Sequence, residues 1–378
     1  MAKTTYKKRV INGKEYYYFR IKEVNGKIKT LYAPTVKKLK EKIDLFNTGV
    51  FITKDEYGDF VKDWLYNTHL IDKKPATKAH YSFFFKKYIV NSPIYNIKLI
   101  DLNAIHIQKY YNDLINKGVT VNTIKGLNKI VLPSIRYAYD VNKIVKDFSR
   151  LIVLPKENRI NDTKGITIFT EEEQKIFINA IKGHNLEMLF TTALFTGMRQ
   201  GELLALTWED IDLTNNTINV NKSYKYVTNV ITNKYEDTIS KPKTKSGIRV
   251  VPIPAFLSQK LKQHKIKQKE LRLTCANLWS NNNLIFCNQF GKYLSSSNIS
   301  KNLKNILKNN NLKPLRFHDL RHTYATRLFE LGENPKTVST ILGHSNISIT
   351  LDTYTHVLDD LKEKTVSKLD LLYNSQMA

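Results

Sequence analysis

Cysteine is almost absent from this chain. Cys275 and Cys287 are the two in 378 residues, and neither falls at metal-ligand spacing with the nine histidines. A disulfide-stapled fold and a cysteine-built metal site are both excluded, and the sparse usage fits a reducing cytoplasm. Long apolar runs are also missing, so no segment reads as a membrane span. The first nine residues carry cations with no apolar stretch behind them, unlike a secretory signal. No repeat recurs at a fixed period. His318 and His322 have the i, i+4 spacing of zinc ligands. They lack the glutamate of a HisGluXaaXaaHis pattern and a third ligand nearby, which argues against a metallo-hydrolase.

What is abundant is positive charge. There are 60 Lys and Arg against 34 Asp and Glu, a net charge of +26. Neutralising phosphates releases counterions, so a polyanion is the natural partner. Codon bias is the plain alternative. It accounts for 49 lysines against 11 arginines better than for the excess of bases over acids. Hydrophobic residues make up 42% of the chain, enough for folded cores, and its length suggests two or three domains.

Residues 1–50 are the most basic stretch, with 13 Lys and Arg against 4 Asp and Glu. AsnGly at 12–13 and again at 25–26 lies beside aromatic or alternating runs, a strong hairpin signal. Pro34 then opens a helical stretch with Val36, Leu39, Ile43 and Phe46 on one face. A three-stranded sheet with one helix is expected. Its basic strands suit a major groove, or it is simply a small solvated module. Residues 55–155 read as helical: Tyr57, Phe60, Val61, Trp64 and Leu65 form a buried stripe, and Pro75, Pro93 and Gly118 punctuate the rest. Lys78, Lys86, Lys87, Lys125 and Lys129 lie between apolar positions, either as wet helix faces or as a track for a phosphate backbone. Polar residues 156–165 form a linker to a domain spanning 166–378. In that domain Thr170 and Glu173 make a capping box, and strands are expected at 217–222 and 248–253.

Within this last domain several motifs carry chemistry. ThrGlyMetArgGlnGlyGluLeu (196–203) places Arg199 just past a helix stop at Gly197, with Glu202 orienting the turn. HisAspLeuArgHis (318–322) puts His318 and Arg321 three residues apart on a helix whose apolar face is read as Leu320, Tyr324, Leu328 and Leu331. An arginine there offers a phosphate two parallel donors, which lysine cannot. Lys245, on a turn before the second strand, is a candidate general acid, with Lys241 and Lys243 as rivals. Asn334 and Pro335 start a short helix that Gly343 ends; His344 follows, and a further helix from Asn346 carries Tyr354. A tyrosine nucleophile needs a neutralised phosphate, an activated hydroxyl and a protonated leaving oxygen, and these side chains could provide all three. The last two helices also have the outline of a helix–turn–helix, which would bind a groove without catalysis.

Taken in order, Arg199, Lys245, His318, Arg321, His344 and Tyr354 resemble the catalytic set of the tyrosine recombinases, above all the integrases of phages and conjugative transposons. The resemblance is strong over 170–358, holds in layout for the helical middle and is looser at the N-terminus. It implies an arm-type DNA-binding domain at 1–50, an all-α core-binding domain at 55–155 and a mainly α, mixed α/β catalytic domain with a C-terminal tail at 166–378. It further implies that Tyr354 attacks the scissile phosphate to form a 3′-phosphotyrosyl link. Arg199 and Arg321 would hold the non-bridging oxygens, helped by His344. His318 would help move the phenolic proton, and Lys245 would protonate the departing 5′ oxygen. Neither ATP, a metal nor another cofactor is implied.

The expected partners are double-stranded DNA at core and arm sites, three further copies of the chain in a homotetramer, and accessory excision or bending proteins. The expected place is the bacterial cytoplasm at the nucleoid, and the expected outcome is integration and excision of a mobile element. Segment 223–240 is longer than the hairpin of simpler recombinases. The tail 361–373 is apolar enough to dock on a neighbour or on its own domain. The rivals are a type IB topoisomerase-like enzyme and a non-enzymatic DNA-binding regulator.

Overall fold

The computed structural model describes residues 6–22, 28–47, 55–156, 167–242, 244–351 and 353–354, without the side chains of residues 22, 45–47 and 245. The chain divides into two compact units, Met1–Asn161 with Thr228–Lys234, and Asp162–Val227 with Tyr235–Ala378.

The first unit begins with strands β1 (Lys7–Ile11), β2 (Lys14–Lys22) and β3 (Ile28–Ala33), an antiparallel sheet in the order β1-β2-β3. Asn12 and Gly13 join the first two with φ of 51° and 75°. Both central residues of the tight turn are left-handed, as its twist demands. The AsnGly at 25–26 lies outside the described residues. Helix α1 (Val36–Asn47) covers the sheet, burying Leu39 against Leu31 and Ala33.

Helices α2 (Tyr57–Trp64), α3 (Pro75–Tyr88), α4 (Ala104–Asn116) and α5 (Val121–Asp140) build a second core, with Tyr57, Val61, Leu65, Ile124, Leu127 and Ile135 fully buried. The expected stripe on α2 is therefore buried, except that Phe60 is only partly so, and Leu65 lies on a π-turn that continues α2. Pro75 takes the first position of α3, where its missing N–H costs nothing.

In the second unit Thr170 caps α6 (Glu171–Ala180) through the expected box: its hydroxyl accepts from Glu173 N–H and Glu173 accepts from its N–H. Helices α7 (Glu187–Thr196) and α8 (Gln200–Ala205) follow. Next come β4 (Ile211–Asp212), β5 (Thr217–Val220), β6 (Ser223–Thr228), β7 (Tyr235–Ser240) and β8 (Arg249–Pro252). β5 lies between β4 and β8, all antiparallel, while β6 and β7 pair separately, so segment 223–240 is largely a hairpin. Helices α9 (Ala255–Cys275), α10 (Ser296–Asn309), α11 (Phe317–Glu330) and α12 (Pro335–Leu342) complete the numbered elements, and 347–351 with 353–354 are helical.

Phe169, Phe177, Phe190 and Phe317 run through this core at successive centroid distances of 5.0, 5.9 and 6.1 Å. Burying each is worth about 1.5–3 kcal/mol and fixes α7 against α11. The apolar face expected on α11 needs one correction: Leu331 is 78% exposed. It is the helix C-cap, past the last turn that packs, and Ala325 and Phe329 take the buried positions instead. No helix among the described residues is long and apolar enough to cross a membrane.

Candidate active site

α7 ends at Gly197, whose φ of 61° and close packing require glycine. A Cβ there would lie 2.4 Å from the Tyr324 ring and 2.8 Å from the Leu342 side chain. The chain reverses, and Arg199 becomes the N-cap of α8. Glu202 accepts from the Arg199 backbone N–H at 2.9 Å and from its guanidinium at 2.8 Å, so it orients the turn as expected. The same carboxylate also holds Arg249 through two donors at 3.2 and 2.9 Å. Arg249 was not anticipated. Alternation along β8 turns it inward with Val251, and it is 8% exposed. A buried cation on that face had no visible partner in the sequence, because Glu202 lies 47 positions away.

The arginines meet at one helix end. Arg249 Nε donates to Ile341 O at 2.6 Å, Arg321 Nη2 to Leu342 O at 2.8 Å, and Arg199 Nη2 to Gly343 O at 3.1 Å. Three successive carbonyls at the end of α12 thus each accept from a guanidinium. The last carbonyls of a helix lack intrahelical donors and carry the negative pole of its dipole, so cations are stabilised there. Arg321 also donates to Gly197 O at 2.8 Å, joining the end of α7 to the end of α12. Arg321 is buried, at 3% exposure. Burial first, then the charge of Arg199, lowers it to about 9, so it stays charged at neutral pH.

Asn334 caps α12 by accepting from Lys336 N–H, Pro335 takes the first position, and Gly343 stops the helix at φ 70°, as the sequence indicated. A Cβ on Gly343 would sit 2.9 Å from Arg249 Cδ and 2.9 Å from Ser246 O. The stop of α12 therefore abuts the 3-10 turn Lys245–Gly247, which precedes β8 as expected. The side chain of Lys245, all of Lys243 and the tail 361–373 lie outside the described residues. His344 is fixed by a 2.7 Å hydrogen bond between Nδ1 and the Thr350 hydroxyl. Burial, then Arg321, Arg199 and Arg249, push it down to about 4, leaving a neutral imidazole.

Tyr354 is 1% exposed, with Phe329 at 5.4 Å between centroids. Burial raises its phenol above the ordinary value, and the charge of Arg321 opposes that rise. Among the described residues the hydroxyl's hydrogen-bond partner is His322, whose Nδ1 lies 2.8 Å away. His318 stands exposed beside it, its ring perpendicular to that of His322 at 5.0 Å. Partial desolvation of the ring, then the charges of Arg321 and Arg199, lower its pKa. His322 was weighed in the sequence as a zinc ligand and not as a partner of the phenol, because its i, i+4 spacing from His318 places it on the helix without saying what it faces. Of the six expected residues, Arg199, Arg321 and His344 converge on the end of α12, Tyr354 bonds to His322 beside Arg321 on α11, His318 flanks His322, and the side chain of Lys245 lies outside the described residues.

Comparisons with known proteins bear on the family to which the chain belongs. The Phage integrase family model matches residues 167–360. A protein described as tyrosine recombinase XerC-like, from Caldanaerobacter subterraneus subsp. tengcongensis, is 37% identical over 390 residues, covering 98% of this chain and 99% of the relative. The ICEBs1 integrase of Bacillus subtilis is 29% identical over 307 residues, 79% of each chain. The Tn1549 transposon integrase, solved in complex with transposon right end DNA, shares the fold with a TM-score of 0.67 at 21% identity, over 83% of this chain and 99% of that chain. The chain belongs to the phage integrase family and is a tyrosine recombinase.

Proposed function

We propose that this recombinase cleaves and rejoins DNA at specific sites to integrate and excise a mobile element. The meeting of Arg199, Arg321 and His344 around the end of α12, with the Tyr354 hydroxyl held by His322, the residue next to Arg321 on α11, is the observation that carries the reading. Tyr354 attacks the scissile phosphorus to give a 3′-phosphotyrosyl link and a free 5′ hydroxyl. Arg199 and Arg321 neutralise the non-bridging oxygens as charge builds, and donors fixed in a buried site are worth far more than donors in water. His344, held by Thr350, adds a further donor through its other ring nitrogen. Lys245, on the turn that abuts Gly343, protonates the leaving oxygen. The ester conserves the bond energy, so the 5′ hydroxyl of a partner strand reverses the step without ATP.

Residues 1–50 then serve as an arm-site module, 55–155 as the core-binding domain and 166–378 as the catalytic domain, four copies assembling on two paired sites. The basic composition and the exposed lysines of α3 and α5 support contact with DNA phosphates. The deciding experiment uses a nicked suicide substrate. Tyr354→Phe should abolish covalent capture while leaving DNA affinity within about twofold, since one hydroxyl carries the chemistry and little of the phosphate binding. Covalent capture by the Phe variant would overturn the nucleophile assignment.

A further inference from the structure

We propose that His322 accepts the proton of the Tyr354 hydroxyl during strand cleavage and is therefore a catalytic residue, an inference that rests on Tyr354 being the nucleophile. The geometry singles it out: Nδ1 of His322 lies 2.8 Å from the phenolic oxygen, inside the reach a general base requires. His318 is the histidine that the family pattern nominates for this task, yet it shares no hydrogen bond with the hydroxyl among the described residues. Its ring instead stands perpendicular to that of His322, on the exposed side. That position suits it to meet the phosphate.

The phenol can donate only if Nδ1 is bare, which places the imidazole proton on Nε2. The groups facing His322 are His318, Asp319, Arg321 and Arg316 on the α11 side, His344 beyond α12, and Tyr354 itself. Burial first, then His318, lowers His322 to about 4, with Arg321 and Arg316 adding to this and Asp319 opposing it. The imidazole is thus neutral and available at neutral pH. An entering phosphodiester brings negative charge, which raises the basicity of the ring and favours the transfer. As the phenolic oxygen bonds to phosphorus, its proton passes to Nδ1. The bond from phosphorus to the 5′ oxygen breaks, that oxygen keeps the electron pair, and it takes a proton from the general acid. In the rejoining step the imidazolium returns its proton to the departing phenolate, so the balance closes over the cycle.

His322→Gln separates proton acceptance from mere positioning, because the amide oxygen accepts a hydrogen bond but takes no proton. With the full-length protein, single-turnover capture of a suicide substrate should fall about 100-fold or more in both His322→Gln and His322→Ala, the usual loss for a general base. DNA binding should be retained, and the acid-side fall of the capture rate expected of the wild type, where the imidazole takes up a proton before it can serve as acceptor, should be absent from the Gln variant. Capture by His322→Gln within about threefold of wild type would overturn the proposal, as would a slow Gln variant that keeps the wild-type pH dependence. Tyr354→Phe run alongside keeps the two assignments apart. Loss of capture there with an unaffected His322→Gln removes the proton acceptor alone, whereas capture by the Phe variant removes the nucleophile.

Discussion

The helical core of the first unit and the arginine site of the second handle charge in opposite ways. On α5 the inward positions are Ile124, Leu127, Ile130, Val131 and Ile135, while Lys125 and Lys129 face solvent. In the second unit Arg321, Glu202 and Arg249 are all under 10% exposed. Their ionic groups are answered by one another and by the carbonyls of residues 197, 341 and 342. Exposed lysines supply a diffuse, salt-screened attraction that any phosphate satisfies. Buried arginines hold fixed positions, and desolvation makes each expensive to leave unpaired. The first arrangement suits gathering a polyanion; the second suits acting on a single phosphorus atom.

The contrast breaks most readily at Arg321. Arg321→Ala should lower covalent capture by about 10²–10³-fold, the cost of removing one fixed donor. It should also lower the thermal midpoint, because two buried carbonyls lose their donors. Arg321→Lys should rescue little, since one ammonium cannot meet both carbonyls and a phosphate. A loss no larger than that of a surface lysine, read in the same suicide-substrate assay, would erase the distinction.

Glu202 sharpens the comparison through stability. Burial pushes its carboxyl up, but the hydrogen bond and charge of Arg249, then the N–H and charge of Arg199, outweigh that and hold it below the usual range. A folded carboxyl lowered in this way stabilises the protein above the unfolded value of about 4.3, and that contribution is lost as pH falls through the folded value. Glu202→Gln should cost about 3–5 kcal/mol at pH 7, as breaking a buried pair does. Urea unfolding of the variant should also show less of the acid-side decline expected of the wild type. Equal steepness in both would show that the carboxylate is not the linked group.

The smallest effect belongs to the lysines. Lys87→Gln with Lys129→Gln should leave stability within about 0.5 kcal/mol. The slope of log affinity against log salt should shrink by about 0.9 for each lysine that touches a phosphate. An unchanged slope, measured from 50 to 200 mM salt, would remove these two from the DNA-facing surface.

Local rules carried much of the fold. The turn at Asn12 and Gly13, the box at Thr170 and Glu173, the stop at Gly197 and the cap, proline and glycine around α12 are each decided within four residues of sequence. They appear where the motifs place them. What escaped was long-range pairing. Glu202 finds Arg249 across 47 positions and Arg321 finds Gly197 across 124, and no periodicity encodes either contact. Leu331 was misplaced because helical spacing says which residues share a stripe but not where the packed surface ends. The hairpin in 223–240 was missed for a similar reason. Its strands carry Tyr226, Tyr235 and Ile239 more than half exposed, so no in–out alternation marks them.

The run of three carbonyls closing α12 also bears on how such a chain tolerates changes of length. Each peptide group there is matched to a different guanidinium, so deleting or adding one residue at 341–343 would deal every arginine the wrong acceptor. The hairpin at 223–240 takes no part in that matching. A change of length at its tip would leave each guanidinium with its own carbonyl, whereas one at the helix end would not.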